Sequence, residues 1–230
     1  MNFKWESNIL LRMFYSLIGS VLLALGASVL LVGNAGLDPF TSLNMSLGVN
    51  VLNMNIGDFQ LLLNSLILVL MYVYRKDLIG YGTLISLVIV GYLISFFSTT
   101  YFQYFNFEPS LFLSFLYLVV GIILYTLGIS LYMAPLLGNS PYDAITPIIV
   151  DKFKIPYKYS RIIQDSVFVI LSIVFGGFNL GYVGVATIIN AFFVGPLIVF
   201  WNEKISYPLV WKNSVNITNL KLKKITLKKF

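Results

Sequence analysis

The chain contains itself twice. At one fixed offset, Tyr15, Gly19, Leu22, Leu25, Gly26, Ser28, Gly36 and Pro39 fall on Tyr117, Gly121, Leu124, Leu127, Gly128, Ser130, Gly138 and Pro141. With slips of the size that loops tolerate, Asn64 and Ser65 then meet Asp165 and Ser166, and Gly80, Thr83 and Gly91 meet Gly184, Thr187 and Gly195. Leucine matches carry little weight in an apolar chain, but glycines and a proline held in one register do not arise from composition. Paired halves in an apolar chain mark membrane folds built from internal repeats, many of them transporters.

Composition agrees with a membrane fold. Hydrophobic residues make up 58% of the 230 and charged residues 10%, and mean hydropathy is +0.87. A soluble domain carries about a quarter charged residues, so most of this surface must face lipid. The absence of cysteine and histidine removes disulfides, thiolate chemistry, soft-metal ligands and the commonest acid–base side chain near neutral pH. Enzymatic chemistry is therefore not expected, and neither is a cofactor or a metal. A pI near 9.4 would suit nucleic acid, but the charges sit at membrane edges, which excludes that reading.

Six stretches are long enough to cross a hydrocarbon core, which takes about 20 apolar residues: Ile9–Val32, Gly57–Tyr74, Ile79–Tyr101, Ser110–Ala134, Tyr159–Gly176 and Leu180–Trp201. With these spans, all 15 basic residues fall on one side. Lys4 and Arg12 open span one, and Arg75 and Lys76 follow span two. Lys152, Lys154, Lys158 and Arg161 lie between spans four and five, and the rest follow span six. The positive-inside rule places both termini in the cytoplasm. Three spans per copy is odd, so the second copy enters from the opposite side and the repeats are inverted. The expected fold class is an all-α polytopic membrane protein with a first repeat over 1–105, a second over 106–203 and a basic cytoplasmic tail over 204–230.

A short motif follows the first span of each copy: Gly36-Leu-Asp-Pro-Phe-Thr-Ser42 and Gly138-Asn-Ser-Pro-Tyr-Asp-Ala144. Asp38 and Ser140 are suited to cap a helix through a side-chain oxygen, Pro39 and Pro141 suit its first position, and Gly36 and Gly138 allow a sharp turn before it. The motif predicts elbow helices over 39–53 and 141–154, too short and too polar to span, re-entrant or interfacial. Each is either a docking element or part of a ligand site, since irregular backbone at membrane depth survives only when buried in protein or lining a wet cavity.

The Gly-Asn-Ser-Pro-Tyr-Asp-Ala stretch, the two-copy layout and the Gly-x-x-Thr…Gly pattern of each last span resemble the YczE/YyaS/YitT-type bacterial integral membrane proteins, over roughly residues 10–200. The resemblance implies a bacterial plasma membrane location and no established activity. The first copy departs from the motif: Asp38 takes the serine position and Thr41 the aspartate position.

Ionisable groups inside a membrane are functional candidates by default. Asp165 lies in span five, four residues after Arg161 and on the same helix face, and its repeat partner is Asn64. Asp38, Thr41, Asp143 and Asn190 complete the candidate solute- or ion-binding set, with Gln60 and Gln164 close by in sequence and Ser86 the repeat match of Asn190. Two structural readings compete: Arg161 neutralises Asp165, and Asn64 bonds a neighbouring helix. Gly19, Gly26, Gly121 and Gly128, with Thr83, Thr187, Gly91 and Gly195, read as helix-packing positions, and Tyr101, Phe102 and Trp201 as interface anchors. The expected partners are the lipid bilayer, with anionic lipid at the basic tail, and an unidentified small solute or ion; self-association is allowed. Function is expected to be that of a small secondary transporter or permease with its path between the repeats. The alternative is a non-transporting scaffold or a substrate-capturing subunit of a larger membrane complex. No Gly-x-x-x-x-Gly-Lys-Ser/Thr loop is present to power a nucleotide-driven motor.

Overall fold

The computed structural model describes residues 9–105, 109–177 and 182–211. Among them the chain is all-helical: α1 Ile9–Val32, α2 Pro39–Leu43 running on as a π-helical stretch Asn44–Val51, α3 Ile56–Tyr74, α4 Tyr81–Tyr104, α5 Leu111–Met133, α6 Pro141–Phe153, α7 Tyr157–Gly176, α8 Val185–Trp201, a π turn Asn202–Ser206 and α9 Tyr207–Trp211. Five of these, α1, α3, α4, α5 and α7, are long and apolar enough to cross a membrane. The sixth expected span corresponds to α8, which has 17 residues and continues through the π turn into α9. Its expected start at Leu180 and the basic tail beyond Trp211 lie outside the described residues.

The centre of the bundle is the α1–α5 pair, set by four glycines. A Cβ at Gly19 or Gly26 would run into the backbone of Tyr132 or Tyr125; one at Gly128 or Gly121 would strike Leu23 or Leu30. Positions that rise along α1 meet positions that fall along α5, so the two helices are antiparallel and backbone-close. Lipid gives little hydrophobic drive for such pairing, and close van der Waals contact between small residues supplies it instead. Ala24, Ala27 and Ile129 pack beside the seam with Ile94 of α4.

Both elbows form as the motif predicts. Asp38 Oδ1 accepts from Phe40 and Thr41 N–H, each at 3.1 Å, and Ser140 Oγ accepts from Asp143 N–H at 3.1 Å. Gly36 and Gly138 take φ values of +95° and +110°, open to glycine at low cost. Gly36 also lies directly on the Gly184 backbone, and Gly138 on that of Gly80. Each elbow entry is tied to the start of the last helix of the other half. Leu37 N–H donates to Tyr182 O (2.9 Å) and Ala186 N–H to Ala35 O (2.8 Å); Asn139 N–H donates to Leu78 O (3.0 Å) and Gly82 N–H to Leu137 O (2.8 Å). Thr83 and Thr187 complete the ties, each accepting from the glycine N–H three residues before it at 3.1 Å. The first turns of the two elbows meet inside the bundle, where Phe40 stacks on Tyr142 at 4.9 Å between ring centres.

The halves differ in one respect. In the first, α3 packs along α4, and a Cβ on Gly91 would come within 3.0 Å of the Gln60 side chain. In the second, α7 and α8 scarcely meet among the described residues, and a Cβ on Gly195 would touch nothing. The packing role expected for both glycines therefore holds for Gly91 and fails for Gly195, because the helix that Gly195 would face stands away. Trp201 differs too: its indole N–H turns inward and donates to Thr126 Oγ1 at 3.0 Å. Tyr101 likewise reaches across to α5, its hydroxyl 2.5 Å from that of Tyr117.

Candidate functional site

The gap between α7 and α8 leads into a cavity of about 900 Å³, within the range of small-molecule sites. Both elbows line it, with faces of α1, α3, α4, α5, α7 and α8. All seven candidates, Asp38, Thr41, Asn64, Asp143, Arg161, Asp165 and Asn190, lie on its wall, as do the motif residues Pro39, Ser140 and Pro141. Gly36 and Gly138 stand behind it and shape the turns.

One end is a charged cluster built where α6 crosses α7. Arg161 Nε lies 3.2 Å from the Asp165 carboxylate, one helical turn away, and its terminal nitrogen lies 3.0 Å from Asp143 Oδ1. Its guanidinium sits over the Tyr142 ring at 4.8 Å, and the Tyr142 hydroxyl donates to Asp165. Ser140 Oγ donates to the second Asp143 oxygen at 2.7 Å. Arg161 is thus held by two carboxylates and an aromatic face. The pairing with Asp165 alone is corrected to a triad, because α6 packs on α7 and brings Asp143 to the same guanidinium.

The rest of the polar wall among the described residues is neutral apart from one carboxylate. Asp38 is 4% exposed, and while Oδ1 caps α2, Oδ2 is buried. The Thr41 hydroxyl stands beside this carboxylate, yet Oδ2 has no partner in hydrogen-bond geometry among the described residues. Gln60 Oε1, Asn64 Oδ1 and both polar atoms of the Asn190 amide are likewise buried and unpartnered. Asn64 was expected to bond a neighbouring helix; its oxygen has no such partner among the described residues. Gln164 behaves differently from Gln60: it accepts from Thr146 Oγ1 at 2.6 Å and donates to Tyr142 O at 2.9 Å, fastening the second elbow to α7. All these donors are oxygens or amides, a set suited to hard cations or hydrogen-bonding solutes and not to soft metals.

Three contributors went unassigned from sequence. Tyr142 was visible as the aromatic of the elbow motif, but its role under Arg161 depends on where α7 lies. Tyr125 and Tyr132 of α5 also line the cavity and carried no motif.

A family model described as a family of unknown function, DUF6198, matches residues 10–203. Among similar proteins, the uncharacterized protein YyaS of Bacillus subtilis (strain 168) is 26% identical, over 81% of this chain and 89% of its own length. The uncharacterized membrane protein YczE of the same organism is 23% identical, over 85% and 87%. An uncharacterized protein of Haemophilus influenzae is 24% identical, over 86% and 88%. No solved structure matches the chain.

Proposed function

We propose that this chain, which belongs to the DUF6198 family of unknown function, is a small secondary transporter of the bacterial plasma membrane. Its path runs through the cavity between two inverted three-helix repeats, over 1–105 and 106–203, each with one elbow. α8, extended by the turn that follows it, serves as the sixth span. Both termini, the basic tail included, are cytoplasmic. The exchange of backbone hydrogen bonds between each elbow and the opposite half supports the inverted relation. So does the antiparallel pairing of α1 with α5, since equivalent helices running opposite ways belong to repeats of opposite topology.

The observation that carries the transport reading is the unlike state of two equivalent helix pairs. α3 and α4 are closed with Gly91 against Gln60, while α7 and α8 are parted with Gly195 open beside the cavity. Inverted repeats that hold one gate shut and the other open describe one end state of alternating access. In the other, the two halves exchange these conformations by rocking about a fixed site.

The test is reconstitution into liposomes with a broad solute uptake screen, using cysteines at Ile162 and Val199, which flank the gap. Bridging them should stop uptake reversibly. Uptake that survives the bridge would remove the gap from the path. A protein that binds solute and never moves it would be a capturing subunit instead.

A further inference from the structure

We infer that the substrate of this cavity is a small organic ammonium cation with an apolar or aromatic body, its nitrogen held by Asp38 with Gln60 and Asn64. The inference takes the cavity as the substrate site of the proposed transporter and adds the chemical class. Charge is the first argument. Among the described lining residues three are carboxylates and one, Arg161, is a cation. Arg161 is engaged by Asp143 and Asp165, so that cluster keeps a net negative charge and leaves Asp38 without a counter-charge of its own. A carboxylate in a dry site is held only with a paired charge or a neutralising proton.

The second argument is the sense of the free hydrogen-bonding groups. Of the buried, unpartnered polar atoms on the described wall, Asp38 Oδ2, Gln60 Oε1, Asn64 Oδ1 and Asn190 Oδ1 are acceptors and Asn190 Nδ2 alone is a donor; Asp38, Gln60 and Asn64 are 4%, 3% and 3% exposed. Gln60 and Asn64 are one turn apart on α3, so they share a face. Acceptors at Asp38, Gln60 and Asn64 call for a ligand that donates, and an ammonium group has three donors and no acceptor. A carboxylate or phosphate ligand would bring acceptors to acceptors and charge to like charge.

The third argument is size and surface. A cavity of about 900 Å³ far exceeds a bare metal ion and suits a small molecule. Phe40 and Tyr125 on the wall add aromatic surface of the kind that favours organic cations and an apolar body.

The experiment is calorimetric titration of the purified full-length protein in lipid nanodiscs with 2-phenylethylammonium, against 3-phenylpropionate as an anion of similar shape. The ammonium should bind saturably and the anion should not. Asp38→Asn keeps an oxygen able to cap α2, and should weaken binding roughly ten- to a hundredfold by removing a charge-assisted bond. Asn64→Leu should weaken it several-fold, and Asp38→Asn with Asn64→Asp should recover much of the loss. Should Asp38→Asn fail to fold, Asn64→Leu and Gln60→Leu carry the same readout. The inference is overturned by no ammonium binding to the wild type, by equal binding of the anion, or by binding indifferent to these variants. It is also overturned if sodium ion, titrated alone, gives the Asp38-dependent signal and the ammonium gives none. Asp38-dependent binding without uptake leaves this inference standing and removes the transport reading. Uptake of a solute indifferent to Asp38→Asn does the reverse.

Discussion

Replacing Arg161 with methionine removes the cation shared by Asp143 and Asp165 while keeping much of the apolar stem. The two carboxylates left behind have side-chain exposures of 22% and 13%, so neither is freely hydrated. Breaking a buried pair by deleting one partner costs about 3–5 kcal/mol. The cavity gives both carboxylates some access to water, which sets the expectation near the low end, about 3 kcal/mol. For a chain of this length each kcal/mol moves the melting temperature by about 2–4 °C, so the loss should be about 6–12 °C. Asp165→Asn should cost only about 1 kcal/mol, because Arg161 keeps Asp143 and the Tyr142 hydroxyl keeps an acceptor. Exchanging the charges, Arg161→Asp with Asp165→Arg, should fail to restore stability, because the carboxylate introduced at 161 would face Asp143. Thermal unfolding of detergent-purified variants, followed by size-exclusion chromatography, reads all three. A loss under about 2 °C for Arg161→Met, or full rescue by the exchange, would refute the triad.

The paired glycines make a second test: Gly91→Ala should lower stability by about 1 kcal/mol through crowding against Gln60, and Gly195→Ala should stay within about 0.5 kcal/mol. Equal losses in a thermal scan would contradict the parted α7–α8 geometry. At the α1–α5 seam, Gly26→Leu should prevent accumulation of folded protein, because the side chain would have to occupy the Tyr125 backbone; a well-folded variant on gel filtration would contradict that packing. Topology is read by single cysteines in this cysteine-free chain: Ser110→Cys should react with an impermeant reagent from outside and Lys76→Cys only from inside, and labelling from one common side would end the inverted model. Arg75, at the end of α3, holds the Asp77 carboxyl below its usual range by hydrogen bonding. That depressed pKa contributes stability present above the unfolded value of about 3.9 and lost as pH falls through the folded one. Asp77→Asn should therefore flatten the acid limb below about pH 4 in a melting-temperature series, and an unchanged limb would discount the pair.

What could be read from sequence is what short-range chemistry decides. Asp38-Pro39 and Ser140-Pro141 announce helix starts because capping and the first helical position depend on a few adjacent residues. Gly36 and Gly138 announce turns because of their backbone freedom. The seam glycines were legible because a lipid environment rewards small residues at contacts. Arg161 and Asp165 were legible because a helix brings residues four apart onto one face. Asp143 joined them only through the crossing of α6 over α7, which no local spacing encodes. The Gly184 and Thr187 cap sets the first turn of α8 at Val185, another short-range signal.

The parting of α7 from α8 is of another kind. A repeat in sequence predicts equal halves, yet in the register that sets Asn64 on Asp165 the counterpart of Gln60 is Arg161, so Gly91 and Gly195 face unlike residues across the repeat. Gln60 packs against Gly91, whereas Arg161 turns to Asp143 and Asp165, so the halves differ in the side chain that could close each pair. Each elbow is also tied to the start of the last helix of the other half, and the Phe40–Tyr142 stack joins the two elbows at the centre. Asp38 sits on the first elbow and Asp143 on the second, so the halves carry different charge although the scaffold repeats. A solute with a single positive centre would then be held at Asp38. Rocking would leave its binding groups in place and change only which helix pair stands open.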